Sequence, residues 1–372
     1  MSARARSPQP LWLIVLAPLL AMLSFLYLAV AMVRPFLYRV GVLLSDSSGA
    51  FVVSVGNIQA GGTGKTPFTA FLVKRWREKV RLGIVSRGYR RTTTGSLRVK
   101  PEEAFADSKY GDEPTWLALK FPEVPVQVGE RRITAAQDLV ASEGTKLIIL
   151  DDGFQHMALR RSFDFVLVNA SAPSWHWRML PWGRLREPGQ ALSRADAVVL
   201  TKTDGLSESD LSAFEKQIGR WAGSNVPILR FIQRLDWEAQ PGELLVVVAG
   251  LANPESFFEM VETHALRPQV QRRLSFADHH RFTDSDVTLM IEAANETGAR
   301  RVLVTEKDAV KLESLWKSDA VKGIELVVTR LEVRPARESD EKELERLDEK
   351  ILGQVRGKAG IGGKFSRREP TA

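Results

Sequence analysis

Cysteine is absent from this chain of 372 residues, which therefore has no disulfide bonds and no thiolate ligands for a metal. This absence suits a reducing compartment. Histidine is scarce as well, with 5 residues, and none of them form the His-x-x-x-His spacing that is typical of zinc sites. The composition therefore does not favour a zinc site.

The remaining composition is ordinary for a globular protein, with 44% hydrophobic and 26% charged residues. A chain of 372 residues is long enough for two domains with separate cores. The net charge of +7 and the isoelectric point near 9.6 favour anionic partners, namely phosphates, anionic lipid headgroups or nucleic acid. The charge alone does not choose among these three.

A glycine-rich segment, GGTGKTP at residues 61–67, is the most informative motif. It follows the apolar run 51–55 and precedes TPFTAFLVKRW, whose spacing is compatible with a helix. Strand, glycine turn, Gly-Lys-Thr and helix are the layout of a phosphate-binding loop, in which backbone N–H groups and the helix N-terminus bind phosphate oxygens. The residues predicted to bind the nucleotide are Gly61, Gly62, Thr63, Gly64, Lys65 and Thr66.

In this loop, Lys65 is predicted to reach the β- and γ-phosphates, and the Thr66 hydroxyl is predicted to hold Mg²⁺. The strict pattern has glycine where this chain has Gln59, although Gly61 and Gly62 can supply the flexibility instead. A glycine turn that only caps a helix is the alternative interpretation.

Two adjacent aspartates, Asp151 and Asp152, follow the apolar run 147–150. A carboxylate at the end of a buried strand, downstream of a phosphate loop, is predicted to hold Mg²⁺ directly or through water. Adjacent side chains point in different directions, so at most one of the two is expected to face the metal. The alternative is an aspartate that caps the next turn.

Three other motifs leave several interpretations open. The segment 201–204, TKTD, resembles the guanine-binding motif of GTPases with Thr201 in place of the usual Asn, and a polar strand end is its alternative. The segment 278–280, Asp-His-His, allows metal ligands, a catalytic pair or a turn, and its spacing favours the turn. The segment 180–188, LPWGRLREP, has the composition of a loop, and its arginines suit an anionic substrate group or a solvated surface.

Residues 11–33 contain no charge, and as a helix they would extend roughly 35 Å, about one hydrocarbon thickness. Arginines flank the run on both sides, at Arg4, Arg6, Arg34 and Arg39. A secretory signal peptide is one interpretation, because Ala29-Val30-Ala31 resembles a cleavage site. A membrane anchor is favoured, because the phosphate loop follows closely and ATP is cytosolic. Pro18 predicts a kink within the run.

Apolar runs that alternate with helix-like stretches predict a doubly wound α/β domain. Strands are predicted at 51–56, 82–86, 146–150, 163–168 and 197–201, with helices at 131–142 and 208–222. A second α/β unit is predicted from residue 243, with strands at 244–249, 301–305 and 325–329. The segment 230–242 is predicted to be a linker, 335–351 a solvated helix, and the Gly-rich basic segment 353–372 disordered.

Seven segments in their order resemble the tetraacyldisaccharide 4′-kinase family of the lipid A pathway. They are SVGNIQAGGTGKTP, SRGY, GDEP, DDGFQH, LPWGRLREP, FADHHRFT and TEKDAVKL, between about residue 35 and about residue 330. The resemblance implies transfer of the γ-phosphate of ATP to the 4′-hydroxyl of a glycolipid, tetraacyldisaccharide 1-phosphate. It also implies two α/β/α domains with the nucleotide site in their cleft, and an N-terminal helix that meets the cytoplasmic face of the inner membrane.

Several residue roles follow from this resemblance. Asp112 of GDEP matches the residue proposed as catalytic base, and His279 matches its partner in a dyad, so His280 is not expected to be catalytic. Lys65 and Thr66 match the phosphate and Mg²⁺ residues of the family.

The remaining matches lie in the two later motifs. Asp151 and Asp152 match the acidic pair near Mg²⁺. Arg186 and Glu187 match the Arg-Glu pair of the substrate-side loop, in which the arginine meets the glycolipid phosphate. Trp182 and Arg184 depart from the smaller or apolar residues expected there.

The predicted fold is α/β: a P-loop NTPase-type doubly wound sheet, a second, smaller α/β domain and an N-terminal membrane-associated helix. The predicted boundaries are 1–40 for the membrane-associated segment, 41–235 for the kinase core, 236–332 for the second domain and 333–372 for a charged, partly disordered tail. ATP, Mg²⁺, the glycolipid and membrane lipid are the expected ligands, and nucleic acid is not. Two other classes remain open: a GTPase, on GGTGKT and TKTD, and a non-catalytic nucleotide-gated membrane scaffold, on the anchor and the basic tail.

Overall fold

The computed structural model describes residues 11–103, 109–251, 254–278, 280–312, 315–316, 321 and 323–360. Twelve strands within this part of the chain form one sheet. They are β1 (Phe51–Asn57), β2 (Leu82–Ser86), β3 (Leu97–Arg98), β4 (Val126–Val128), β5 (Leu147–Asp151), β6 (Phe163–Asn169), β7 (Ala197–Thr201), β8 (Ile228–Asp236), β9 (Leu244–Ala249), β10 (Gln269–Ser275), β11 (Arg301–Thr305) and β12 (Glu325–Pro335). Their spatial order is β10-β9-β11-β12-β8-β7-β6-β1-β5-β2-β4-β3.

The first half of the sheet is parallel from β8 to β4, with the short antiparallel β3 at its edge. Its central strands are buried along their whole length, which is why they appear in the sequence as continuous apolar runs. The β1 strand lies between β5 and β6 in the middle of this half. The loop that follows β1 therefore starts at the centre of the sheet's carboxyl edge.

The two halves share the sheet through the long strands β8 and β12. β8 pairs in parallel with β7 over 228–230 and then antiparallel with β12 over 231–236. β12 in turn pairs in parallel with β11 over 325–329. The prediction of a linker at 230–242 is therefore wrong for 230–236, because residue 230 continues the pairing with β7 and 231–236 pair with a strand about a hundred positions later, which local composition does not reveal.

Helices cover both faces of the sheet, as predicted for a doubly wound fold. They are α1 (Leu11–Val15), α2 (Ala17–Arg39), α3 (Lys65–Trp76), α4 (Asp112–Lys120), α5 (Arg132–Glu143), α6 (Glu208–Ala222), α7 (Pro254–Glu262), α8 (Asp284–Thr297), α9 (Glu306–Leu312) and α10 (Glu338–Gly360). In the first half, α3, α4 and α10 share one core and α5 and α6 cover the opposite face. The α/β fold with a P-loop, a second α/β unit and an apolar N-terminal helix is confirmed.

The C-terminal helix α10 differs from the solvated helix and disordered tail that the sequence predicts. Its buried residues Leu344, Leu347 and Ile351 recur at helical spacing and pack against the same core as α3. Trp76 Nε1 of α3 donates a hydrogen bond to Asp348 Oδ1 at 2.8 Å. The predicted helix is therefore present over 338–351, but its solvated character is wrong, and so is the disorder predicted from 353 as far as 360, because charges outnumber the apolar stripe in the sequence. Residues 361–372 lie outside the described part of the chain.

The apolar N-terminal segment forms α1 and α2, which are separated at Leu16. Pro18 lies in the first turn of α2, where its missing N–H costs nothing, so the predicted kink takes the form of a helix break. By length and composition α2 is able to span a membrane, and only 11% of its most apolar stretch of 18 residues is buried within the protein. The exposed side chains include Phe25, Val30 and Phe36.

Candidate active site

The loop between β1 and α3 has the geometry of a phosphate-binding loop. Gly64 has a φ of 83°, a left-handed conformation that favours glycine. Asn57 Nδ2 donates to Thr63 Oγ1 at 2.7 Å, and Thr201 Oγ1 at the end of β7 donates to the Thr63 carbonyl at 2.9 Å. Within the described chain, no side chain caps the N-terminus of α3, which leaves its first N–H groups available to an anion.

Gln59 stands where the strict motif has glycine, and the structure shows its role. Its side chain is buried, and Oε1 accepts a hydrogen bond from the Asn169 N–H at 3.0 Å. Its backbone forms an antiparallel bridge to Leu185, which lies in the segment 180–188. Gln59 therefore ties the phosphate loop to β6 and to the predicted substrate-side loop.

Asp152 joins the phosphate loop to that second loop. Its Oδ1 lies 3.5 Å from Lys65 Nζ and 3.3 Å from a terminal nitrogen of Arg186. Burial acts to raise the pKa of Asp152, but the nearby cations Lys65 and Arg186 outweigh it and hold that pKa below its usual value. Asp152 also has a φ of 52°, a backbone conformation that is uncommon outside glycine.

Asp151 is fully buried at the end of β5 and points elsewhere. Its Oδ1 accepts a hydrogen bond from Thr69 Oγ1 of α3 at 3.1 Å. Burial first, and then the negative charges of Glu113 and Asp152, raise the pKa of Asp151 to about 7. The two aspartates thus have opposite pKa shifts because Asp152 pairs with both Lys65 and Arg186, whereas at Asp151 burial and two neighbouring carboxylates outweigh the charge of Lys65.

Asp112, the predicted base, is the first residue of α4. The turn before it depends on Gly111, which has a φ of 86° and a backbone so close to Tyr89 that a side chain would lie 2.7 Å from the Tyr89 carbonyl oxygen. The SRGY and GDEP motifs therefore meet at the carboxyl edge of β2. Asp112 Oδ2 lies 2.9 Å from Lys311 Nζ of α9, in the second half of the molecule.

His279, the predicted dyad partner, lies outside the described residues. The neighbouring His280 places Nε2 3.0 Å from Asp286 Oδ2, the carboxylate that caps α8. Its ring packs against Phe276 and Phe282. These contacts are those of a structural residue.

A cavity of about 470 Å³ lies between α2 and the carboxyl edge of the sheet. Its walls combine apolar residues of α2 with polar residues of the core; they include Tyr27, Val30, Ala31, Arg34, Arg87, Arg132, Asp152, His156, Arg186 and Glu187. Burial and the surrounding arginines, Arg132 foremost, lower the pKa of His156 to about 4. Four arginines against two carboxylates make the lining electropositive. Arg132 stands in no recognisable motif, so the sequence did not indicate its place in the cavity wall.

Arg186 and Glu187 have different surroundings. Arg186 contacts Asp152, as described, and faces the cavity. Glu187 is buried; it accepts hydrogen bonds from Gln155 Nε2 at 2.9 Å and from Arg194 at 2.6 Å. Glu187 also lines the cavity, but both of its oxygens are engaged in holding the loop.

The substrate-side loop also holds helix α2. Ser24 Oγ donates to the Met179 carbonyl at 3.0 Å and accepts from the Trp182 N–H at 3.2 Å. The Arg178 guanidinium lies 4.2 Å from the centre of the Trp182 ring. Trp182, which departs from the family pattern, thus contacts the apolar helix through its backbone, with its ring against Arg178.

The TKTD segment is engaged within the protein. Thr203 Oγ1 donates to the Phe231 carbonyl at 3.0 Å, and Asp204 Oδ2 accepts from the Gln233 N–H at 3.2 Å. Thr201 supports the phosphate loop. These contacts favour the polar strand end over the guanine-binding interpretation.

Comparison with known proteins places these motifs in one family. The family model described as tetraacyldisaccharide-1-P 4′-kinase matches residues 16–351. A tetraacyldisaccharide 4′-kinase from Anaeromyxobacter sp. (strain K) is 36% identical over 86% of this chain and 87% of its own length. The enzyme of the same name from Bdellovibrio bacteriovorus is 34% identical over 80% of this chain and 90% of its own length.

A solved structure agrees with the sequence relatives. A crystal structure of LpxK from Aquifex aeolicus in complex with ATP matches with a TM-score of 0.68 and 26% identity, over 92% of this chain and 99% of that one. The family model extends over both halves of the sheet and into α10, and the relatives and the solved structure also cover most of the chain. The chain belongs to the tetraacyldisaccharide-1-P 4′-kinase family.

Proposed function

We propose that this protein transfers the γ-phosphoryl group of ATP to the 4′-hydroxyl of a tetraacyldisaccharide 1-phosphate. The observation that carries the proposal is the position of Asp152, between Lys65 of the phosphate loop and Arg186 of the arginine-lined cavity. One carboxylate thereby joins a nucleotide site to an anion-binding cavity. Apolar side chains of α2 form another wall of that cavity, as a lipid with a phosphorylated head requires.

The reaction forms a bond from the 4′-oxygen to the γ-phosphorus and breaks the bond from that phosphorus to the oxygen that stays with ADP. Catalysis of this kind depends on positioning and on stabilising negative charge. The loop amides and Lys65 stabilise the charge on the phosphoryl oxygens. Asp112 takes the proton of the 4′-hydroxyl, with His279 as its partner in the dyad.

The residues at the phosphate loop fit Mg²⁺. Thr66 offers a hydroxyl, and Asp151 and Asp152 each offer a carboxylate, of which one would face the ion; these are the oxygen ligands that Mg²⁺ prefers. The buried Asp151 carboxyl, with its pKa raised to about 7, is a group whose charged form a cation would stabilise. When bound, Mg²⁺ neutralises charge on the phosphate oxygens.

Helix α2 gives the enzyme access to a substrate that stays in a membrane. Its exposed apolar residues would enter the lipid, while Ser24 and Tyr27 face the protein and the cavity. We therefore assign the enzyme to the cytoplasmic face of the inner membrane, where ATP and the lipid meet. Acyl chains remain in the bilayer, and the sugar reaches the cavity.

Removal of residues 1–40 is expected to shift the protein towards the soluble fraction and to abolish activity on long-chain substrate, because α2 supplies both the lipid contact and a cavity wall. Flotation with vesicles at moderate salt measures the first effect. The double substitution Phe25→Gln and Phe36→Gln, at side chains 71% and 59% exposed, keeps the cavity wall and should still weaken flotation. Undiminished flotation of both variants would contradict the anchor.

Arg186→Ala is expected to raise the KM for the glycolipid roughly tenfold, equivalent to about 1.4 kcal/mol, and to change the KM for ATP less. The reason is the loss of a guanidinium that faces the cavity. Steady-state kinetics with each substrate varied measure both constants. Arg220→Ala, on the exposed side of α6, is the control; a change confined to the KM for ATP would place the loop on the nucleotide side.

The proposed reaction is tested with labelled ATP and tetraacyldisaccharide 1-phosphate, followed by lipid extraction. Label in the lipid phase is the expected result. Nucleotide hydrolysis that prefers GTP and does not need the lipid would support the GTPase alternative instead. Nucleotide binding without any transfer would support the scaffold.

A further inference from the structure

Helix α9 carries most of the TEKDAVKL motif, for which the proposed function so far gives no role. It faces α4, the helix that begins with Asp112, across the boundary between the two halves of the molecule. Three ion pairs join the two helices: Asp112–Lys311, Glu113–Lys307 and Lys120–Glu306.

The three pairs differ in geometry. Lys311 Nζ lies 2.9 Å from Asp112 Oδ2, and both side chains are about one-fifth exposed, at 23% and 20%. Lys307 lies 3.6 Å from Glu113, with both side chains more exposed. An ion pair that is shielded from water is stronger than an exposed one. The third pair, Lys120–Glu306, is comparably close and shielded, at 2.8 Å with side chains 25% and 17% exposed, but its lysine lies on α4. Of the two pairs in which α9 supplies the lysine, the pair at Asp112 is therefore the closer and the better shielded.

Helix α9 is firmly attached to the second half. The buried Asp308 accepts hydrogen bonds from the Gly250 N–H at 3.0 Å and from Thr305 Oγ1 at 2.8 Å. These contacts fasten the start of α9 to the carboxyl ends of β9 and β11. Lys311 thus belongs to a rigid support, which a positioning residue requires.

We propose that Lys311, which the second half of the molecule brings to Asp112, is a positioning residue for this base. The inference rests on the proposed role of Asp112. A cation that holds one oxygen fixes the plane of the carboxylate and so the direction in which its other oxygen points.

A purely structural role makes a different prediction. If Lys311 only held the halves together, then loss of Lys307, which spans the same two helices, would have a similar effect. If Lys311 instead positions the base, its substitution should lower kcat, and substitution of Lys307 should leave kcat unchanged. The matched control is therefore Lys307→Ala.

The experiment measures kcat, both KM values and the thermal midpoint for Lys311→Ala, Lys311→Met, Lys311→Arg and Lys307→Ala. Removal of the charge at Lys311 is expected to lower kcat roughly 10–100-fold, as small misplacements of reacting groups do, with both KM values changed less than about threefold. Lys311→Met keeps the aliphatic stem if the alanine variant is unstable. Lys311→Arg should restore most of kcat, and Lys307→Ala should retain it.

Asp112→Asn and its double variant with Lys311→Ala complete the test. The double variant is expected to be no slower than Asp112→Asn, because the lysine acts through the aspartate. Equal losses for Lys311→Ala and Lys307→Ala, an effect on KM alone, or additive losses would overturn the inference. A slow Asp112→Asn enzyme together with a normal Lys311→Ala enzyme overturns only this inference, whereas a normal Asp112→Asn enzyme overturns the base assignment as well.

Discussion

Lys65→Ala is expected to lower kcat by roughly 10³–10⁵-fold, the range that a cation placed on the transferring phosphoryl group contributes in related reactions. Lys65 begins α3 at the phosphate loop, and its ammonium lies 3.5 Å from Asp152. Its removal would also take away one of the two cations beside Asp152 and leave Arg186, so the pKa of that carboxyl should rise.

The measurement is steady-state transfer to the glycolipid at saturating ATP and Mg²⁺. Lys74→Ala is the matched control, because Lys74 lies on the same helix, its side chain is 70% exposed, and it pairs with the surface residue Glu332. The control should keep normal activity. Near-normal turnover of Lys65→Ala would falsify the assignment of the phosphate loop.

Asp112→Asn is expected to lower kcat by roughly 10²–10⁴-fold, the usual contribution of a general base. Asparagine keeps the shape of the side chain and removes its ability to take a proton. The affinity for ATP, measured by calorimetry, should hardly change, because Asp112 is assigned to the acceptor hydroxyl. A normal kcat under conditions where chemistry limits the rate would remove Asp112 from the mechanism.

The dyad is tested by adding His279→Ala to this variant. The single histidine variant should lose less activity than Asp112→Asn, and the double variant should be little slower than Asp112→Asn alone, as for residues that act as one unit. Fully additive losses would show that the two residues act separately.

Local sequence predicted the phosphate loop and most of the central strands. The motif at 61–67 needs only a strand, a glycine turn and a helix that are adjacent in the chain, and all three are present between β1 and α3. The buried strands were predictable for a similar reason, since a strand covered on both faces is apolar at every position. The exposed strand β10 has no such run and was missed.

Where contacts join distant parts of the chain, local patterns were misleading. Residues 230–236 were predicted to be part of a linker, but they belong to β8, and pairing of 231–236 with β12 unites both halves of the sheet. Helix α10 was predicted to be solvated because charges outnumber its apolar residues, yet its apolar stripe packs on the core of α3.

The kind of chemistry was therefore readable from the residues alone: a phosphate loop, an acidic pair at a strand end and an apolar first helix are each local patterns. Which other groups surround each charged side chain was decided only by the tertiary structure. It gave Asp151 and Asp152, adjacent in the chain, opposite pKa shifts, because one is buried beside Thr69 and the other faces Lys65 and Arg186. It also brought Lys311 to Asp112 across about two hundred residues, since electrostatic and packing energies depend on distance in space.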